Sequence, residues 1–185
     1  MTIIGFTGHT NIEKANGVAI EKGGMIYNTE AFNLTKKDIS TKLDDLLLDK
    51  NISDYGIVSG MARGADEIAA MIAMERDLPL LLSIPNSIKW HISRPPSRGI
   101  MAQAIQYKII LNYVRNRIDN GCEISKIREI KKYYRSVSYP YANMARNQNI
   151  IDMSDYVISY LRYSSTGTND AIKKAKEANK YYGNS

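Results

Sequence analysis

Cysteine, histidine and long apolar runs are scarce in this sequence, and their scarcity excludes several kinds of protein. Cys122 is the one cysteine among 185 residues, so no disulfide can form within the chain. His9 and His91 are the two histidines and give no cluster spaced for zinc, so we expect no metal and no cofactor. Apolar runs such as Leu78–Leu82 are far shorter than a membrane span, and the first residues lack the features of a signal peptide. We therefore expect a cytoplasmic protein with no membrane partner.

Positive charge is abundant but unevenly spread. The net charge is +6, and residues 86–140 hold eleven Lys or Arg against three Asp or Glu, which leaves −2 for the rest of the chain. Such a concentration attracts nucleic acid or a polyphosphate, but it is also typical of a solvated helical face, and both interpretations stay open. The length and the 44% hydrophobic content predict a single domain, 1–185, with residues of about 86–140 as a basic insert.

Apolar strand patterns alternate with amphipathic helix patterns along the chain. Strands are predicted at Thr2–Thr7, Tyr55–Ser59, Leu78–Ile84 and Tyr156–Leu161. Helices are predicted at Leu34–Asp49, capped by Thr35, and at Ala65–Asp77, Met101–Ile118, Ile124–Tyr134, Asn143–Asp152 and Asn169–Tyr181. Residues 11–33 are interpreted as a long loop or a small hairpin. This alternation predicts an α/β fold, namely a Rossmann-like parallel sheet flanked by helices, with a basic helical insert.

Three polar turns follow predicted strands, and parallel strands bring their carboxyl ends to one edge of a sheet. The turns lie at Gly8–Thr10, Ser59–Gly64 and Ser164–Thr168. Glycines let the backbone approach a ligand, and a following helix offers free N–H groups to a phosphate or carboxylate. Packing or ordinary helix capping would also explain the same residues. The candidate ligand-binding residues are Gly8, His9, Thr10, Ser59, Gly60, Met61, Ala62, Arg63, Gly64, Trp90, Arg146, Asn147, Ser164, Ser165, Thr166, Gly167 and Thr168.

Three segments resemble one group of proteins. Ser59–Asp66 resembles the Ser-Gly-x-Ala-x-Gly-x-Asp signature of the DNA-processing protein A (Smf) family and of the wider SMF/LOG, or SLOG, Rossmann-like superfamily, which includes YpsA-like proteins. Arg146–Ile151 is similar to the Arg-Asn-x-x-Ile-Ile segment of the DNA-processing family, and Ser164–Thr168 is similar to the phosphate-binding Gly-Gly-x-Gly-Thr turn of LOG proteins. The likeness covers most of the chain outside residues 11–33 and the basic insert.

The resemblance implies a nucleotide or a nucleotide-derived signal as the ligand, with Arg146 clamping its phosphate. Members of the superfamily include enzymes, sensors in bacterial and phage conflict systems, and factors that load recombinase on single-stranded DNA. LOG phosphoribohydrolases carry a catalytic Glu where this chain has Ala171, so the leading hypothesis is a sensor or a sequestering protein that binds without cleavage. N-glycosidic hydrolysis, with Asp170 or Glu67 as the weak catalytic candidates, and single-stranded DNA binding are the alternatives. LOG-like proteins are commonly dimers or larger, which makes a homo-oligomer an expectation.

Aromatic residues near the predicted crevice suggest where a base would stack. Trp90 follows the third strand, next to His91, while Tyr133, Tyr134, Tyr139 and Tyr141 precede Arg146. Tyrosine-rich helical segments are also typical of a core or a subunit interface. Asp66, in the first turn of a helix, is interpreted as an ordinary residue that complements the helix dipole.

Overall fold

Within the described part of the chain, six strands pair in parallel into one sheet. A computed structural model describes residues 1–17, 29–93, 100–130 and 139–185. The strands are β1 (Thr2–Gly8), β2 (Tyr55–Ser59), β3 (Leu80–Pro85), β4 (Lys126–Ile130), β5 (Tyr156–Tyr160) and β6 (Tyr181–Asn184). Their order across the sheet is β4-β3-β2-β1-β5-β6. The chain thus builds outward from β1 to β4 and then crosses to the other side of β1, so the strand order reverses between β1 and β5.

Helices cover both faces of this sheet. They are α1 (Ile12–Asn16), α2 (Glu30–Asp49), α3 (Ala65–Glu75), α4 (Ile88–Ser93), α5 (Ile100–Asp119), α6 (Tyr139–Met153) and α7 (Thr166–Glu177). The main core lies under α2, α3 and α5 and includes Ile57 and Leu82, whereas their neighbours Val58 and Leu81 belong to the opposite face, under α6. Because successive strand residues point to opposite faces, the apolar runs are buried on both sides.

The predicted fold class is confirmed, and so is most of the strand pattern. The predicted bounds of β2 are those of the structure, and β1, β3 and β5 differ from their predicted bounds by one or two residues. The helix predicted at Ile124–Tyr134 is wrong, because Lys126–Ile130 is the edge strand β4, paired with β3. Within residues 86–140 the basic insert therefore contributes α4 and α5 but also a strand. Residues 131–138 lie outside the described residues.

The two ends of the chain also differ from the predictions. The closing helix ends at Glu177 rather than Tyr181, because Asn179 adopts a left-handed conformation (φ 56°) and the chain turns into β6. Near the start, α1 occupies part of the predicted loop, capped by Asn11 and ended by Gly17. Helix α2 begins five residues before Thr35, with Thr29 as its N-cap. The hairpin considered for 11–33 falls largely on residues 18–28, outside the described residues.

Candidate functional site

A cavity of about 240 Å³ lies where the strand order reverses, at the carboxyl edge of the sheet. The loops after β1, β2 and β5 meet there, together with residues of α4, α5 and α6. Its lining residues are Thr7, Gly8, Thr10, Ala62, Arg63, His91, Tyr107, Asn143, Arg146, Asn147, Ser165, Gly167 and Thr168. The three turns predicted from the sequence are therefore neighbours in the fold. Open α/β sheets commonly bind ligands at this position.

Two glycines let the loops after β1 and β2 come this close. A Cβ on Gly64 would lie 2.3 Å from the carbonyl oxygen of His9 and 2.9 Å from that of Thr10, and the Ala65 N–H donates to the His9 carbonyl at 3.0 Å. A Cβ on Gly8 would lie 2.6 Å from that of Ala65. Gly8 and Gly64 thus serve the contact between the two loops, which places Gly8 and Thr10 beside Ala62 and Arg63.

Ser59, Gly60, Met61 and Gly64 do not line the cavity but form the turn that supports it. The Ser59 hydroxyl donates to the Asp66 carbonyl at 2.6 Å and accepts from the Met61 N–H at 3.1 Å. Met61 is fully buried at a φ of 51°, which is unusual for a residue with a side chain. A Cβ on Gly60 would lie 2.7 Å from Arg146 Nε, so glycine leaves the space that this side chain occupies.

Arg63 is a cation in the cavity wall with hydrogen-bonding capacity to spare. Its side chain is 8% exposed, and its Nη2 donates to Glu13 Oε1 at 2.8 Å. Arg63 Nε and Glu13 Oε2 are buried and have no hydrogen-bond partner among the described residues. Buried polar atoms are normally paired, so the Arg63 guanidinium, which lines the cavity, keeps unused hydrogen-bonding capacity. Glu13 lies in the segment 11–33 that was predicted as a loop, and no sequence pattern identified it as a site residue.

Arg146 is the second cation of the cavity, and part of its guanidinium is already engaged. Its Nε and Nη2 donate to Asn147 Oδ1 at 3.2 and 2.7 Å, its Nη1 lies 3.5 Å from the Gly60 carbonyl, and Asp66 Oδ2 lies 3.6 Å away. Because a guanidinium has five N–H groups, Arg146 retains capacity for a ligand. Asp66 is buried, and burial raises the pKa of its carboxyl despite the opposing effects of Arg146 and the backbone N–H groups of Ala62 and Gly8.

The start of α7 forms the opposite wall. Ser165 precedes the helix but makes no capping hydrogen bond with its side chain, which leaves first-turn N–H groups available. Thr168 is buried and its hydroxyl lies 3.4 Å from that of Ser165, while nothing lies within 4 Å of a Cβ placed on Gly167. Of the residues predicted in this turn, Ser165, Gly167 and Thr168 line the cavity, and Ser164 and Thr166 do not.

His9 supports the loop after β5 and does not line the cavity. Its Nε2 accepts from the backbone N–H groups of Arg162 and Tyr163 at 2.8 and 3.1 Å, and its ring stacks on Tyr163 at 3.8 Å. An acceptor Nε2 requires a neutral ring with its proton on Nδ1. Burial, helped by the charges of Arg162 and Lys14, lowers the pKa of His9 to about 4, which keeps the ring neutral.

The basic insert contributes His91 and Tyr107 to the cavity, whereas the predicted Trp90 does not line it. His91 Nε2 lies 2.9 Å from the Met61 carbonyl, and its ring stacks on Tyr107 at 4.6 Å. Burial lowers the pKa of His91 to about 4. The sequence pointed to the correct segment, after the third strand, but to the neighbouring residue; the helix α4 in that segment was not predicted. Tyr133 and Tyr134 lie outside the described residues, and the side chains of Tyr139 and Tyr141 are not described.

Neither weak catalytic candidate lines the cavity. Asp170 Oδ2 is paired with Lys174 at 2.8 Å on the following turn of α7, and Glu67 is fully buried in α3. Among the described residues, no carboxylate lines the cavity and no group of three or more His, Cys, Asp or Glu side chains is placed to hold a metal ion. Of the lining residues, Arg63 and Arg146 carry a formal charge, so the described lining presents guanidinium donors.

A larger groove of about 730 Å³ lies elsewhere, along β4 and the end of α5. Leu81, Ile118 and Met153 give it an apolar floor, and the exposed Lys126 and Arg128 lie at its side. None of the predicted turns reaches this groove. We take the smaller cavity as the candidate site because polar groups from several loops converge there, at the position where open α/β sheets commonly bind ligands.

Comparisons with known proteins agree with this architecture. No protein-family model and no curated protein sequence matches the chain. Among solved structures, DNA processing protein A (DprA) from Streptococcus pneumoniae aligns with 99% of the chain at 15% identity and a TM-score of 0.56. DprA from Helicobacter pylori, described for its single-stranded DNA binding mode, aligns with 98% at 18% identity and a TM-score of 0.55. The chain shares the fold of DNA processing protein A. The predicted likeness to this superfamily is thus confirmed as a likeness of fold.

The same comparison sets the extent of that likeness. The chain spans 50% of the S. pneumoniae DprA structure and 64% of the H. pylori one. A structural-genomics target designated TM1055 aligns with 97% of the chain at 12% identity and a TM-score of 0.50.

In the described ranges, no helix has both the length and the apolar character needed to cross a lipid bilayer.

Proposed function

We propose that the protein binds a nucleotide or a nucleotide-derived ligand by its phosphate in the cavity at the carboxyl edge of the sheet. The observation that carries this proposal is the pair of guanidinium groups, Arg63 and Arg146, in a cavity whose described lining has no carboxylate. Arginine presents a planar fork of donors that matches phosphate oxygens. Arg63 Nε has no hydrogen-bond partner among the described residues, so the guanidinium keeps an unused donor.

Neutral donors support the same assignment. The uncapped start of α7 offers backbone N–H groups around Gly167 and Thr168, and the positive end of the helix dipole favours an anion there. These donors follow β5, whereas Arg63 follows β2, with β1 between the two strands. A phosphate between them would receive charged and neutral hydrogen bonds from separate elements of the fold.

The size of the cavity limits the ligand. Small-molecule sites usually enclose about 300–1,000 Å³, and this cavity of about 240 Å³ lies just below that range. We therefore infer that it accepts a single nucleotide unit rather than a dinucleotide. With Asp170 and Glu67 outside the lining, binding without turnover is favoured, as expected of a sensor or a sequestering protein.

Calorimetry with a panel of nucleoside monophosphates and inorganic phosphate tests the proposal. Arg63→Met alone would leave Glu13 as an uncompensated buried charge, so the paired variant Arg63→Met/Glu13→Gln is preferable. We expect binding of at least one nucleotide, weakened roughly ten-fold or more in the paired variant, since a hydrogen bond to a charged group contributes about 1.5–3 kcal/mol. Lys126→Met, in the groove along β4, is the control and should bind like the natural sequence.

Two results would count against this function. Equal affinity in the paired variant and the natural sequence would remove Arg63 from the site. Release of free base, detected by chromatography after incubation with nucleotide, would favour the N-glycosidic hydrolase instead.

Assembly into a homo-oligomer stays a prediction, which light scattering coupled to size-exclusion chromatography tests.

Single-stranded DNA binding is the second candidate function. Two observations favour it: the fold is that of H. pylori DprA, whose description names this activity, and Lys108, Arg115, Lys126 and Arg128 of the basic insert are exposed. Binding through these residues should weaken steeply with salt, because each neutralised phosphate releases counterions. Affinity for an oligonucleotide that does not change between low and high salt would exclude this mode.

A further inference from the structure

The hydrogen bond between His91 and Met61 determines which nitrogen of the His91 ring carries the proton. Met61 offers a carbonyl oxygen, which can only accept, and His91 Nε2 lies 2.9 Å from it. Nε2 must therefore be the protonated nitrogen, and in the neutral ring Nδ1 is then an acceptor. His9 has the opposite arrangement, because its Nε2 accepts two backbone hydrogen bonds. The two histidines of the chain thus hold opposite tautomers.

His91 is fixed in position as well as in tautomer. Its ring stacks on the buried Tyr107 at 4.6 Å with an interplanar angle of 24°, and the residue is 9% exposed. Met61, which holds it, is itself fixed by its N–H donating to the Ser59 hydroxyl. Because the hydrogen bond to Met61 and the stacking on Tyr107 both hold the imidazole ring, Nδ1 of His91 has one orientation.

His91 and the neutral phosphate donors lie at different positions along the carboxyl edge of the sheet. His91 follows β3, whereas Gly167 and Thr168 follow β5, three strand spacings away in the order β3-β2-β1-β5. At roughly 4.8 Å a strand, these elements are about 14 Å apart along the edge of the sheet. A ligand whose phosphate lies at the start of α7 and between the arginines therefore extends its nucleoside part toward His91.

We propose that His91 is a specificity-determining residue whose Nδ1 accepts a hydrogen bond from the nucleoside part of the ligand. This inference rests on the proposed nucleotide function. The recognised chemistry is a neutral hydrogen-bond donor, which a nucleoside supplies either as the exocyclic amino group of its base or as a hydroxyl of its sugar. A ligand that lacks this donor leaves the His91 acceptor unpaired in the complex and binds more weakly.

Matched ligand pairs distinguish the two donor sources. Adenosine monophosphate against purine riboside monophosphate, and guanosine monophosphate against inosine monophosphate, test the amino group, while the 2′-deoxy and 3′-deoxy counterparts test the sugar. We expect the natural sequence to discriminate by roughly ten-fold in one class of pair. The variant His91→Phe keeps a stacking ring but has no acceptor, and it should lose the discrimination between the two members of that pair.

His91→Gln serves as the conservative variant. Its amide can donate to the Met61 carbonyl and accept from the ligand, so it should restore part of the discrimination. If His91→Phe discriminates as the natural sequence does, or if the natural sequence does not discriminate in any pair, the inference is overturned while nucleotide binding stands. If neither a nucleotide nor inorganic phosphate binds, the proposed function fails and the inference fails with it.

Nitrogen-15 spectra of the imidazoles give a readout that a merely structural role would not move. The chain has two histidines, so both rings are resolved without further labelling schemes. We expect the proton of His91 on Nε2, and a shift of its Nδ1 resonance on saturation with the preferred nucleotide, while the His9 resonances stay. A proton found on His91 Nδ1, or a nucleotide that leaves the His91 resonances in place, overturns the inference.

Discussion

Replacing Gly64 with alanine tests whether the close contact between the loops after β1 and β2 builds the site. Gly64 has φ 91° and ψ −128°, a combination that side-chain-bearing residues avoid. Its added Cβ would lie 2.3 Å from the His9 carbonyl oxygen and 2.9 Å from that of Thr10. Both contacts are with backbone, so the loop as a whole must move.

The expected magnitude follows from two terms. A backbone conformation of this kind at positive φ costs alanine about 1–3 kcal/mol, partly offset by the stiffer unfolded chain. Overpacking that forces a backbone shift adds about 1–3 kcal/mol. We therefore expect Gly64→Ala to lower the free energy of unfolding by about 2–5 kcal/mol, more than positive φ alone would cost.

Gly121→Ala is the matched control. Gly121 also has a positive φ, 83°, but nothing lies within 4 Å of its added Cβ, so only the first term, about 1 kcal/mol, is expected. Urea unfolding followed by circular dichroism measures both variants. Equal losses of stability would refute the inference that Gly64 is required by the approach of the His9–Thr10 backbone.

Three further predictions concern buried polar groups. Glu13→Gln should lower the free energy of unfolding by about 3–5 kcal/mol, because it leaves Arg63 buried without its ionic partner. Glu75→Gln, in the exposed pair with Lys36, should lower it by less than about 1 kcal/mol, and urea unfolding of both variants tests the difference. Burial lowers the pKa of both histidines to about 4, so their contribution to stability is complete above pH 6.5 and is lost as the pH falls toward 4. Titration of the imidazoles by NMR should show both midpoints near 4. A midpoint near 6.5 would contradict the burial argument. Thr35→Val should destabilise by about 1–3 kcal/mol, because the Thr35 hydroxyl bonds the Tyr160 hydroxyl in the core; unchanged thermal unfolding would contradict this role.

The parts of the fold predicted correctly are those where local pattern and tertiary position agree. The strand Tyr55–Ser59 is apolar, short and followed by small residues, and its bounds are those of the structure. The segment at Ile124–Tyr134 misled because its isoleucines, Ile124, Ile127 and Ile130, recur at every third residue, which suits a helix. As an edge strand beside β3, it leaves Lys126 and Arg128 exposed, and pairing with β3 overrides the local preference.

The residues of the candidate site likewise divide into those that a sequence pattern identified and those that it did not. Turns made of glycine and hydroxyl residues have a recognisable pattern, so Arg63, Gly167 and Thr168 could be found from the sequence. Glu13 and Tyr107 could not, because a single acid in a loop and a tyrosine at helical spacing look like many others. For Asp66 the sequence suggested an ordinary residue that complements the helix dipole, whereas the structure buries it beside Gly60 and Arg146.

A crystal structure of the protein soaked with the nucleotide that binds most tightly tests the central claim most directly. Our account predicts phosphate density between Arg63 and the first turn of α7, within hydrogen-bond distance of the Thr168 N–H. Phosphate density in the groove along β4, beside Lys126 and Arg128, with the cavity at the β1–β5 reversal empty, would contradict it.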